Sequence, residues 1–338
     1  MEPEPSLDVS RRVAWSTAIV VVVVVAVLGV SAWAFGVLPS ATAGRSVTIP
    51  SNRPTPASDA TPSHGSTLSP RHPHVRPPLQ PVDLPNGRLC PDRVPRIVEV
   101  LQLNIHAGVT RYGTQGLAEI AREINAWRPD VVSLNEVDRD AARSGRVDEA
   151  SYLARATGMH VVFGANLVQA DGHRFGNAVL SRFPVRSSLN TRLPGAPGVE
   201  PRGLLRARLR VDGHDVDFFS VHLTQGHRSG LPERIRQAVA ITHVLAAGHR
   251  PTIVAGDLNS RPGTLPVRLL RGYLLDAQEQ AGTGLGNTVP EGRPQNRIDY
   301  VLYDNHFRPV PGSTQVLASS SDHRAVRSEL VLLPSSHC

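Results

Sequence analysis

Three patterns of apolar and polar positions follow one another along the chain. Residues 13–38 are apolar apart from small or weakly polar side chains, with valine at every position of 20–25 and no charge between Arg12 and Arg45. A run of that length can cross a bilayer. Residues 39–95 are rich in Pro, Ser, Thr and His and show no apolar periodicity, so they offer too little to bury and predict a tether. From residue 96 onward, short apolar runs alternate with helical spacing. Residues 97–105, 131–134, 177–180, 204–211, 216–223, 252–255, 298–302 and 325–333 read as strands. Residues 116–127 and 231–247 read as helices, the second with Ile235, Val239, Ile241 and Leu245 near one face. Strands mixed with crossover helices predict an α/β sandwich rather than an all-α or all-β architecture.

These patterns divide the chain into a cytoplasmic tail (1–12), a transmembrane anchor (13–38), a linker (39–95) and one catalytic-sized domain (96–338). Arg11 and Arg12 precede the apolar run, and the next basic residue after it is Arg45. That asymmetry predicts a cytoplasmic N-terminus and a domain outside, held at the cell membrane by a single pass. The competing reading is a cleaved signal peptide ending near Ala41-Thr42-Ala43, although signal cores span only roughly 7 to 15 residues. Both readings export the domain. As a random coil the linker would extend roughly 40 Å. His64, His72 and His74 lie within it, with no folded frame to make a metal site of them. Cys90 and Cys338 flank the domain, and in an exported protein they are expected to form a disulfide, the alternative being two free thiols.

Charge changes the picture little. The net charge is +7 and all 36 basic residues are Arg. Arg suits phosphate recognition, but replacement of every Lys reads more simply as a bias spread over ordinary surface sites. Without a dense basic run, nucleic acid is permitted as a substrate rather than indicated. No protein partner is inferred.

Candidate chemistry lies where polar residues interrupt or end the apolar strands. Asn104, Glu136, His222, Asp257, Asn259 and Asp299 each fall in or just beyond one, and strand ends gather into one mouth in α/β folds. Phosphoester hydrolysis needs a cation to screen the phosphate, a base to activate water and donors for the developing charge. Glu136 and Asp322 offer hard carboxylate oxygens and Asn104 an amide oxygen, a set that suits Mg²⁺ with several retained waters better than Zn²⁺. His323 follows Asp322 and is the expected general base, oriented by Asp299. His222 ends an apolar run and is expected to bind phosphate or donate a proton. Asp257 and Asn259 flank Leu258 on one side of an extended segment and can address the same phosphate.

The motifs Leu103-Asn104-Ile105-His106, Asn135-Glu136-Val137-Asp138, Gly256-Asp257-Leu258-Asn259, Arg297-Ile298-Asp299-Tyr300 and Ser321-Asp322-His323 occur in this order. With 176–184 and Glu200-Pro201-Arg202-Gly203, they resemble the endonuclease/exonuclease/phosphatase superfamily over roughly residues 97–333. The resemblance implies a four-layer sandwich, with two mixed β-sheets packed face to face, helices outside and a Mg²⁺ or Mn²⁺ site at one edge. It implies that Glu136 binds metal near Asn104 and Asp322, and that His222, Asn177 and Asn259 contact phosphate. Asp257 then positions water or the leaving group, Asp299 supports His323, and Arg202 is a further phosphate contact. Two departures are Asn135, where Gln is common, and Val221, where Thr is common. The Trp and Cys-Asp-Arg features of inositol-phosphate phosphatases are missing, which favours phosphodiesters such as nucleic acid or a phospholipid head group. A binding module that no longer catalyses is the contrasting expectation.

Overall fold

The computed structural model describes residues 96–226 and 229–333. The apolar run, the linker and both cysteines lie outside them. Among the described residues, no helix is long and apolar enough to cross a membrane.

In chain order the elements are β1 (Arg96–Asn104), α1 (Leu117–Trp127), β2 (Val131–Arg139), α2 (Glu149–Thr157), β3 (His160–Val168), β4 (Arg174–Ser181), β5 (Val185–Arg192) and β6 (Gly203–Val211). They continue with β7 (His214–His222), α3 (Leu231–Ala246), β8 (Thr252–Asp257), α4 (Leu265–Arg271), β9 (Leu275–Asp276), α5 (Ala277–Ala281), β10 (Asp299–Tyr303), β11 (Phe307–Pro309), β12 (Gln315–Leu317) and β13 (Ala325–Leu332). One sheet has the order β11-β13-β1-β2-β4-β3, with β12 also on β13, and the other β5-β6-β7-β8-β10-β9. β1 with β2 and β7 with β8 are parallel, and helices α1 and α3 make those two crossovers as the spacing predicts.

Alternation along the central strands builds three apolar layers. Val98 and Val100 of β1, Val131 of β2, Phe218 of β7, Ile253 of β8 and Val301 of β10 meet between the sheets. Their neighbours Leu101, Leu103, Val132 and Leu134 turn outward to Ile120 and Ile124 of α1 and Leu153 of α2. Phe219, Val221 and Val254 turn outward on the other side to Ala238 and Ile241 of α3 and Leu270 of α4. The result is two packed mixed sheets with helices on the outer faces, as expected.

The pattern-based elements miss β3, β5 and α2, and with them the short α4, β9, α5, β11 and β12. β5 is a mostly exposed edge strand of polar residues, so it lacks the apolar run that marks the others. α2 is short and is started by Asp148, whose side chain accepts a hydrogen bond from the Ser151 N–H. The expected apolar face of α3 is also corrected: Val239 is exposed, and the buried face includes Glu233, Arg234 and Gln237 beside Ala238 and Ile241. Gln237 and Arg234 turn their polar ends to the segment after β7. Gln237 accepts from the Thr224 N–H and donates to Thr224 Oγ1, and Arg234 donates to the Thr224 carbonyl.

Candidate active site

On the face between the sheets, each of these strands changes from apolar to polar toward the same end. Val98 and Val100 are followed in alternation by Gln102 and Asn104, Val131 by Ser133 and Asn135, Phe218 by Ser220 and His222, and Ile253 and Ala255 by Asp257. The antiparallel strands run the other way, with Asn177 before Val179 and Asp299 before Val301 and Tyr303. Side-chain period two therefore delivers residues far apart in sequence to one mouth.

Local backbone refines the aim. The β2–β4 register shifts between Leu134 and Val137, and Glu136 at that irregularity has φ 56°. A bulge of this kind redirects one side chain, and it leaves Glu136 partly exposed while its neighbours are buried. Gly256 is required by close packing, because a Cβ there would lie 1.9 Å from the Val221 carbonyl oxygen. Ser321 Oγ donates to the Asn104 carbonyl at 2.7 Å, tying the segment that carries Asp322 and His323 to the end of β1.

Asp257 is at the centre. Its Oδ2 lies 3.2 Å from Asn104 Nδ2, 3.6 Å from His222 Nε2 and 3.8 Å from His323 Nε2. Burial pushes its carboxyl up, the Asp299 charge pushes it further, and His323 with the Asn259 N–H and Asn104 amide oppose the rise, leaving it at about 7. Asp299 Oδ2 lies 2.9 Å from His323 Nδ1. Burial works against a charge on His323, but the charge and hydrogen bond of Asp299, then the charges of Asp257 and Asp322, outweigh it and raise the ring to about 10. His222 goes the other way: burial, then Arg202 and His323, hold it well below the usual histidine range. With Nδ1 held by Asp299, His323 presents Nε2 to the mouth, 3.8 Å from Asp257 Oδ2.

The remaining residues divide by reach. Asn259 Nδ2 lies 3.0 Å from both His222 Nε2 and the Leu223 carbonyl, so it belongs to the mouth. Asn104 Oδ1 accepts from the His106 N–H, which leaves its second lone pair, and its Nδ2 faces Glu136 Oε1 at 2.9 Å. It bridges Glu136 and Asp257. Asn177 is fully buried, accepts from Asn135 Nδ2 and donates to the Gly203 carbonyl, so it belongs to the polar layer beneath the mouth. Arg202 is buried behind His222, 3.0 Å from its Nδ1, and paired with Glu200 at 2.9 Å; it orients the ring from behind. Asp322 is half-exposed at the rim, 3.8 Å from His106 Nδ1. Gln102 and Asn135, given no role from sequence, sit in the same polar layer.

Donor chemistry fits a hard divalent cation. Glu136 and Asp322 are partly exposed carboxylates, and Asp257, Asp299 and His323 bring one potential ligand atom each within 4.8 Å of one another. In that second group Asp299 is already engaged by His323 and Gln102, which leaves Asp257 and His323 Nε2 facing the mouth.

A family model described as Endonuclease/Exonuclease/phosphatase family matches residues 101–323. The fold is similar to that of an endonuclease/exonuclease/phosphatase from Beutenbergia cavernae, with 27% identity and a TM-score of 0.58 over 72% of this chain and 73% of that one. It is also similar to a mannosyl-6-phosphatase of Bacteroides thetaiotaomicron (18% identity, TM-score 0.56, 69% and 99% covered) and to the human Nocturnin catalytic domain (20%, 0.54, 69% and 93%). Among curated proteins, Schizosaccharomyces pombe protein cwh43 is 28% identical over 166 residues, which is 49% of this chain but 16% of that protein.

Proposed function

The chain belongs to the endonuclease/exonuclease/phosphatase family, whose members hydrolyse phosphoesters, and from that premise we propose that it is a divalent-metal-dependent phosphodiesterase acting outside the cytoplasm. The observation that carries the reading is the buried Asp257 carboxylate facing His222 and His323, with Asp299 fixed behind His323. No simple stability argument favours burying two acids and two histidines at one mouth, because each ionised group loses hydration there. Their concentration is understandable as chemistry.

In this reading Asp257 accepts the proton of an attacking water. His323 presents a proton and positive charge to the phosphate, and Asp299 keeps its ring in orientation. His222, neutral and backed by Arg202, binds the phosphate together with Asn259. Glu136 and Asp322 would hold Mg²⁺ or Mn²⁺, with Asn104 linking Glu136 to Asp257; such an ion supplies Lewis-acid screening of phosphate charge. A nucleic acid or phospholipid head group is the proposed substrate, since the motif differences from inositol-phosphate phosphatases favour a diester. The apolar run 13–38 after Arg11 and Arg12 supports a membrane anchor with the domain outside.

The test is the full chain with Mg²⁺, Mn²⁺ or EDTA, assayed on an aryl phosphodiester, an aryl monoester, DNA, RNA and phospholipid vesicles. Metal-dependent cleavage of the diester in preference to the monoester is expected. Binding without cleavage of any of them overturns the reading in favour of a catalytically silent, surface-tethered module. Location is tested separately by reporter fusions after residue 38, which should be active only with reporters that work outside the cytoplasm.

A further inference from the structure

We infer that Gln102 is a positioning residue, which sets Asp299 directly and Asp257 through Asn135; the inference rests on the hydrolytic reading above. Gln102 is fully buried on the inter-sheet face of β1. Its Nε2 donates to Asn135 Oδ1 at 2.7 Å and to Asp299 Oδ1 at 3.3 Å. Asn135 Oδ1 also accepts from the Asp257 N–H at 2.9 Å, while its Nδ2 donates to Asn177 Oδ1 at 3.0 Å and to the Val221 carbonyl at 3.1 Å. One connected set of amides thus joins β1, β2 and β4 of one sheet to β7, β8 and β10 of the other, at the strand ends that carry the site.

The direction of the Gln102 amide follows from its partners. Turned over, its carbonyl oxygen would face an amide oxygen and a carboxylate, neither of which can donate when Asp299 is ionised. In the observed direction Oε1 is buried without a hydrogen-bond partner. Buried polar atoms are ordinarily bonded, so this side chain keeps two directed donors while its acceptor goes unused.

Reach supports the same role. Gln102 on β1 carries the longer of the two amides and Asn135 on β2 the shorter. Gln102 spans the gap that the shorter Asn135 leaves toward Asp299. The carboxylate is then held on both oxygens, Oδ1 by Gln102 and Oδ2 by His323 Nδ1, so rotation of the carboxylate is restrained and with it the plane of the His323 ring. Outer groups that orient reacting side chains are effective in this way because small angular errors misalign the acceptor.

The test uses the full chain and an aryl phosphodiester. Gln102→Met keeps length and removes both donors; it should lower kcat by about 10- to 100-fold, as loss of an outer-shell partner typically does, and leave KM unchanged. Gln102→Asn paired with Asn135→Gln exchanges the two arm lengths and should recover most of the kcat lost in Gln102→Asn alone. A readout that needs no substrate is the downfield ¹H NMR resonance of His323 Nδ1–H, identified by its loss in His323→Ala; it should move in Gln102→Met. Unchanged kcat with an unmoved resonance overturns the inference. So does a fall in kcat that only follows the fraction unfolded, or an exchange variant no better than Gln102→Asn. A parent that cleaves nothing overturns the hydrolytic reading instead, and the resonance still decides whether Gln102 holds Asp299.

Discussion

The two halves of the layer between the sheets are made by the same strands with the same inward alternation, yet they are chemically opposite. In one half Val98, Val100, Leu209, Val216, Tyr303 and Leu330 pack without charge. In the other, Gln102, Asn135, Asn177, Asp257, Asp299 and His222 are equally buried. Apolar burial contributes about 25 cal/mol per Å² removed from water, whereas buried charges need partners simply to be tolerated. The contrast teaches that one half supplies stability and the other consumes part of it to fix reactive groups. Ser133 and Ser220, hydrogen bonded to each other at 2.8 Å, mark the change between them.

The largest expected effect breaks the polar half alone. His323→Ala should reduce hydrolysis by roughly 10²- to 10⁴-fold, the usual contribution of a positioned acid or base, far more than the folded fraction falls when buried Asp299 loses its ring partner. Steady-state kinetics beside a melting curve check this. Equal losses of activity and folding would mean that the polar half is structural.

The apolar half should respond in the opposite sense. Leu330 is fully buried and pairs with Val98 across β13 and β1, away from Asn104. Leu330→Ala should cost about 2–5 kcal/mol of stability through lost burial and a residual cavity. Activity per folded molecule should be unchanged, which denaturant titration together with kinetics on the folded fraction will test.

Much of this contrast is legible in the sequence, because inward positions of a strand are identified by period two and a polar residue among them stands out. That is why Asn104, His222, Asp257 and Asp299 could be named from it. Gln102 escaped notice as one amide inside an apolar run, and its partner Asp299 is 197 positions away. The amide directions of Asn104 and Asn177 were equally hidden, since they are set by which groups the opposite sheet presents. The opposite shifts of His222 and His323 come from burial with Arg202 behind one ring and from Asp299 behind the other. Edge strands such as β5 were missed for the converse reason: exposed on both faces, they need no apolar pattern.

A buried acid outside the layer sharpens the comparison, because it lacks the partners that the site's acids have. Glu149, at the start of α2, accepts from the Asp138 N–H through Oε2, while Oε1 is buried without a partner. Burial, which the Asp138 N–H opposes and the Asp138 charge reinforces, raises its carboxyl from 4.5 to about 8. The folded protein therefore keeps this proton over a pH range in which the unfolded chain has lost it. Stability from this group is complete below about pH 4.5 and declines as pH rises toward 8, by up to a few kcal/mol. Glu149→Gln removes the dependence, so it should match the parent at pH 5 and exceed it at pH 8. Urea unfolding across that range tests the sign, and parallel profiles would refute it.

The smallest effect is expected at the boundary itself. Ser133 Oγ has a second partner in the Ala255 carbonyl at 3.1 Å, and Ser220 Oγ has one in the Leu134 carbonyl at 3.4 Å. Removing either hydroxyl leaves the other with an acceptor, so Ser133→Ala or Ser220→Ala should each cost only about 0.5–1.5 kcal/mol, the net worth of an ordinary hydrogen bond. The double variant should cost less than the two singles together, because their mutual bond is lost only once and no unpaired hydroxyl remains. Activity should stay near parental in all three, since neither serine is bonded to Asp257, His323 or His222. A double-mutant cycle read by unfolding and by kinetics locates the boundary: a fall in kcat without a fall in stability would move the serines into the polar half, and additive stability losses would mean that the two hydroxyls act independently.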